Sequence, residues 1–473
     1  MICNYHFQFD GSWMEFGPSP FRIISAHTTT DKMKYVFIAL LVALFAKDIL
    51  PIGDRYILRG VSEGLALAVG AGWLIRHQFH GFAKRYILIL SYLATLALTA
   101  FVSQRPFFVI LQVVSLAAVT LFFIAYVEST ALDRGTFQWN LLAVGCAYLI
   151  VCLGSLVLLV ARPQLAFEIT PEGNRFRGLF NEPAMMGAVS GLLIGIAAFG
   201  RLSWLIRISG ALAAIPCLYL TGSRTSWGAA AAGLLIIGII YIRQKSAWMI
   251  ALAFVGAIGI LGLIITDVHF APETQSKIIR SGSVGTLSGR TVLWELALNK
   301  IQDSPLLGYG FTTGSDALAS DMGDTLSTAF GVADRSHQKA FSLHSGYIQA
   351  LLDSGVIGAG LYFAILSVAL WRLFRYDQER HHGAEMYCLV FFSISNLTDT
   401  IIFGAAVSYE VFYWYLSIMA LGVAGFAQQG LKESSNSGRV QEDVTISSVL
   451  NFSGNADEKP ASAKIRRFPI LQD

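Results

Sequence analysis

The chain has 473 residues, 54% of them hydrophobic and only 14% charged, with Lys+Arg 34 nearly balanced by Asp+Glu 31. Soluble domains carry roughly 25% charged residues, and a mean hydropathy of +0.57 means more apolar surface than ordinary cores can hide. These values exclude a disordered protein, a secreted disulfide scaffold and a simple cytosolic enzyme, and the net charge of +3 gives no footing for nucleic acid; a multi-span helical membrane protein remains.

A membrane-crossing helix needs about 20 mostly apolar residues. Such stretches fall near 34–52, 56–75, 86–103, 106–127, 139–161, 183–200, 205–221, 225–242, 247–266, 344–370, 385–403 and 409–427, about twelve in all. Residues 1–32 lack the apolar core of a signal peptide, and Met33-Lys34 before YVFIALLVALFA reads as an alternative start. The chain therefore divides into an N-terminal cytoplasmic segment (1–33), spans one to nine (34–266), a long external loop (267–343), spans ten to twelve (344–427) and a disordered cytoplasmic tail (428–473). Twelve spans put both termini on one side. With cytoplasmic termini, Arg76, Lys84, Arg85, Arg134, Arg201, Arg207, Arg243, Lys245, Arg372, Arg375 and Arg380 fall in inward loops, the sign the positive-inside rule expects. The outward loops still keep Lys47, Arg55, Arg59, Arg105, Arg162, Arg175, Arg177 and Arg224. Within the external loop, RTVLWELALNKIQD (290–303) has Leu293, Leu296, Ala297 and Ile301 at helical spacing. It predicts an amphipathic helix ended by Pro305, with GYG (308–310) as a turn.

The cysteines carry no chemistry in this reading. Cys146, Cys152, Cys217 and Cys388 lie in apolar runs and Cys3 stands alone, without metal-ligand spacing. His381-His382 is a solvated loop pair, and no GxxxxGK[ST] run is present for ATP-driven transport. Four other segments fall on the outer side: RFRGLFNEP (175–183), TGSRTSW (221–227), SGRTVLW (288–294) and LHSGYIQALLDSGVIG (343–358). Three of them lead into spans whose N-termini face outward. A helix N-terminus favours an anion, and an arginine holds phosphate through a planar fork of donors. Arg177, Arg224, Arg290 and His344 can thus converge on a diphosphate, while Asp316, Asp321, Asp324 and Asp334 can meet sugar hydroxyls. Asn181 and Glu182 sit where a helix cap belongs, ahead of Pro183. Taken singly, each arginine is equally an interfacial salt bridge and His344 a polar cap.

These residues resemble the O-antigen ligase and O-antigen polymerase superfamily of bacterial envelope glycosyltransferases. SRTSW (223–227), SGRTVLWELALNKIQDSPLLGYGF (288–311) and HSGYIQALLDSGVIG (344–358) carry the resemblance, with RGLFNEPAMMG (177–187) a looser element. It implies an all-α polytopic protein of the inner membrane with a periplasmic active site. The implied reaction is metal-independent, cofactor-free transfer of a glycan from an undecaprenyl-diphosphate donor to a sugar hydroxyl, with inversion. Arg224, Arg290 and His344 match the family's catalytic positions, and Arg177, Glu182 and Arg175 are the further substrate-binding candidates. His344-Ser345 and Asn181-Glu182-Pro183 depart from the family's usual His-Asn and Pro-Asn. The implied partners are the lipid-linked donor, an acceptor glycan (a lipid-linked repeat or lipid A-core), membrane lipids and a chain-length regulator. A polymerase of O-antigen or exopolysaccharide repeats is the favoured reading, with an O-antigen ligase as its alternative. A transporter or flippase of a lipid-linked glycan is the alternative of another class, which would line a path near the bilayer midplane with charge.

Overall fold

The computed structural model describes residues 6–9, 12–15, 33–43, 46, 48, 49, 55–77, 84–130, 134–170, 173–242, 290–319, 343–376, 382–400 and 409–422. The predicted ninth span at 247–266, the tail at 428–473 and much of the loop at 267–343 lie outside them. Met1–Ala424 is one compact unit, and the second, Gly425–Asp473, lies outside the described residues.

Helices dominate in chain order: α1 (Met33–Ala43), α2 (Arg55–His77), α3 (Ile87–Leu98), α4 (Pro106–Ser129), α5 (Arg134–Ala161), α6 (Pro163–Ala166), α7 (Pro183–Phe199), α8 (Trp204–Leu220), α9 (Arg224–Ile242), α10 (Arg290–Asp303), α11 (Gly346–Tyr376), α12 (Gly383–Thr398) and α13 over 409–422. Two antiparallel hairpins were not predicted: β1 (His6–Phe9) with β2 (Ser12–Glu15), and β3 (Phe167–Thr170) with β4 (Gly173–Phe176). Among the described residues, four helices are long and apolar enough to cross a membrane, at Ile57–Arg76, Pro106–Ser129, Gln138–Ala161 and Gly346–Arg375.

Side chains on α8 give the membrane reading its physical content. Trp204, Leu205, Ile208, Leu212, Ile215 and Tyr219 are all exposed and recur at helical spacing, while Gly210, Ala213, Ala214 and Cys217 are buried on its other side. In water such a stripe would be an aggregation surface. Against lipid it needs no cover. The core lies inward of these faces, and α13 is buried along its length. There Trp414 stacks on Tyr92 of α3 with centroids 5.6 Å apart, and Tyr415 packs on Phe37 of α1 and Phe123 of α4.

Two predicted spans are corrected in their helical extent. The eleventh was read as 385–403, but α12 stops at Thr398 and Asp399 is its extended C-cap. The tenth was read as continuous over 344–370, yet α11 is broken at Gly355, whose φ of 62° and ψ of −169° are not helical. Residues 305–310 fill that break. Tyr309 N–H donates to the Leu352 carbonyl at 2.9 Å and Gly310 N–H to the Asp353 carbonyl at 3.0 Å. In return Val356 N–H donates to Pro305 at 2.8 Å and Ile357 N–H to Leu306 at 3.4 Å. The backbone groups that the break would orphan are met by a neighbouring loop. A Cβ at Gly355 would collide with the Leu306 backbone.

Candidate functional site

One end of the bundle gathers the starts of α7, α9 and α11 with the end of α12. Gly187 lets α7 approach α9: a Cβ there would stand 2.7 Å from Ser226 Oγ. The hydroxyls of Thr225 on α9 and Thr398 on α12 are 2.8 Å apart. Gly346 N–H, opening α11, donates to the Asp399 carbonyl at 3.0 Å.

Four polar side chains, Arg175, Arg224, His344 and Asp399, meet at this junction. Arg224 is the first residue of α9. Arg175, on β4, donates from Nε to the Thr221 carbonyl at 3.3 Å, just before α9. Burial pushes its guanidinium below the usual arginine range, and nearby Arg224 adds to this, against the pull of Glu168 and Asp399. Two half-buried guanidinium groups held near each other in this way suit a doubly charged anion better than a single carboxylate. His344 Nδ1 lies 3.8 Å from Asp399 Oδ1, with the imidazole side chain 45% and the carboxylate 21% exposed. Asp399 is fixed by its own backbone, its Oδ1 accepting from Thr400 N–H at 2.9 Å.

The backbone of His344 is left-handed, with φ of 51°, a conformation uncommon for a side chain of this kind. Its neighbours impose it. The Leu343 carbonyl accepts from Trp294 Nε1 of α10 at 2.8 Å, and Leu343 is wholly buried, so the chain must turn sharply to start α11. Ser345, not His344, caps that helix: its carbonyl accepts from Gln349 N–H at 2.9 Å and its Oγ from Ile348 N–H at 3.5 Å. The serine supplies the N-cap oxygen there, so the imidazole is not needed for capping.

The remaining candidates fall as follows. Pro183 is the first residue of α7 and Glu182 its N-cap, with extended backbone and no side-chain capping bond. Glu182 acts on Tyr409 at the start of α13, together with Glu410, Asp399 and Asp48. Arg177 turns to α6 instead, Nε donating to the Leu165 carbonyl at 3.2 Å. Arg290 is the first residue of α10, one helical turn before Trp294. Asp316 is paired with Arg105 at 3.3 Å; Asp321, Asp324 and Asp334 lie outside the described residues. Asp399 was missed because 385–403 was read as one apolar run. The signal was a carboxylate deep inside that run, which by default marks function in a membrane protein.

Residues 209–363 match the O-antigen ligase family. The match runs from α8 past the break in α11, so it takes in Arg224, Arg290 and His344. A second similarity is to the exopolysaccharide production protein ExoQ of Rhizobium meliloti (strain 1021), 27% identical over 207 residues, which are 41% of this chain and 47% of that protein. The chain thus spans about half the length of that relative. The resemblance to the O-antigen ligase and polymerase superfamily holds over this stretch, and the helical, apolar architecture agrees with an envelope membrane protein.

Proposed function

We propose that this chain is an inverting, metal-independent glycosyltransferase of the inner membrane, with about twelve spans, cytoplasmic termini and a periplasmic site. It would polymerise O-antigen or exopolysaccharide repeats carried on undecaprenyl diphosphate. The observation that carries the reading is the convergence of Arg175, Arg224, His344 and Asp399 where α7, α9 and α11 begin. In this mechanism Arg224, Arg290 and Arg175 hold the donor diphosphate, with Arg177 and Glu182 at the margin for the glycan. The acceptor hydroxyl attacks the anomeric carbon opposite the diphosphate. As the new C–O bond forms, the bond to the diphosphate breaks and its electron pair leaves with the phosphate oxygen. Asp399 at Nδ1 orients the imidazole, leaving Nε2 to take the acceptor proton. The arginines stabilise the charge that grows on the leaving group.

The Rhizobium relative is named for exopolysaccharide production, which supports an exopolysaccharide product, and the family description, O-antigen ligase, supports ligation as the second reading. A deletion strain separates them. Single repeats on the acceptor mark loss of a polymerase. Long chains left on the undecaprenyl carrier mark loss of a ligase, and repeats stranded on the cytoplasmic face would overturn both in favour of a flippase.

A further inference from the structure

The segment Arg290–Asp303 with its following loop has a small apolar core of its own. Leu293, Ala297, Ile301 and Leu318 pack with Leu352 in the second turn of α11 and Leu343, three residues ahead of that helix. At the centre of this docking stands Asp353, 0% exposed. Its Oδ1 accepts from Gln349 Nε2 at 2.8 Å and from Gly314 N–H at 2.9 Å, and its Oδ2 from Thr312 N–H at 3.1 Å. A carboxylate out of water is costly unless its oxygens are met by donors. Here two of the three donors belong to the loop, so the group that needs them also fastens the loop. Thr312 has a φ of 61°, strained for a β-branched residue, and its amide is turned toward the carboxylate. The carbonyls of Leu352 and Asp353 take two further loop amides at the Gly355 break. The other side of the loop is tied to the bundle by Phe311 N–H on Thr99 Oγ1 at 3.0 Å and by Thr313 Oγ1 2.9 Å from Ser103 Oγ.

We propose that Asp353 is a positioning residue: its carboxylate clamps residues 312–314, just past the segment that fills the break of α11, and so fixes α10, with Arg290 at its head, relative to His344. This rests on the transferase reading above. The path is short. From Asp353 the fastened loop leads back through Pro305 to α10, and Trp294 of α10 holds the carbonyl of Leu343, next to His344. A shift of about 1 Å between diphosphate ligand and base is enough to cost on the order of 10²-fold in rate. Asp353 itself lies two turns inside α11.

The test uses the full chain in lipid nanodiscs, with Cys3 and Cys146 replaced by serine and spin labels on cysteines placed at exposed Gln302 of α10 and Gln164 of α6. Asp353→Asn puts an amide N–H against one of the loop amides. It should at least double the width of the label-to-label distance distribution and lower turnover at saturating donor at least ten-fold. The KM for the undecaprenyl-diphosphate-linked donor should stay within two-fold. Gln349→Ala removes one donor and leaves the loop amides in place, so it should broaden the distribution less. It carries the same reading if Asp353→Asn fails to accumulate. A distribution as narrow as wild type in the accumulating variant, or a broadened one with full turnover, overturns the proposal. Should the parent protein itself transfer no glycan, the transferase reading fails, and the distances alone then decide whether Asp353 clamps the loop.

Discussion

At the scale of single residues, His344 and Asp399 form the pair on which the proposed chemistry turns. His344→Gln keeps a hydrogen-bonding group but cannot accept a proton, so transfer should fall roughly 10²–10⁴-fold. Near-normal polymer from that variant, at normal membrane abundance by immunoblot, would remove the base role. Asp399→Asn should also lower turnover while donor binding persists, because the ring loses the carboxylate that orients it. Ser345→Ala offers a contrast. It removes the N-cap oxygen of α11, and at about 1 kcal/mol of stability it should lower the melting temperature in detergent while His344 keeps its chemistry. Arg224→Lys keeps the charge but loses the fork of donors, so only partial activity in a polymer assay is expected. Full activity there would argue that the site needs charge and not geometry.

Elements of the fold were legible in the sequence to different depths. Apolar runs located the helices, because a bilayer demands length and hydropathy and little else. The amphipathic stretch Arg290–Asp303 was equally plain: Leu293, Ala297 and Ile301 are buried on one face. Helix ends were not. Hydropathy averages over a window, so it carried the eleventh span through Asp399 and the tenth through Gly355. The tertiary partners that stop those helices come from residues far away in sequence. Arg224 and Arg175 were picked out singly, but their adjacency depends on the β3–β4 hairpin, whose short strands leave little pattern. Close packing of α7 on α9 gives an element-scale prediction. Gly187→Val should drive the Ser226 side of α9 away, cost about 1–3 kcal/mol, and weaken donor binding by displacing Arg224 from Arg175. Unchanged donor affinity would mean that the two helices are not what sets the arginine spacing.

For the molecule as a whole, the orientation carries the most weight. A cysteine at Asp324 should react with a membrane-impermeant thiol reagent in intact spheroplasts; labelling only after lysis would turn the site to the cytoplasm and end the proposed reaction. The break in α11 has a consequence for how such a chain is made. A helix entering lipid alone would straighten, since an unbroken spiral satisfies its own amides and a gap at Gly355 would leave polar groups facing hydrocarbon. The segment that fills the gap, 305–310, is synthesised before α11. The bend is therefore expected to depend on the filler being present when the helix inserts. In a chain expressed from Leu343 onward, α11 should enter the membrane as an uninterrupted rod, and supplying the missing N-terminal portion as a separate polypeptide should have difficulty bending it afterwards.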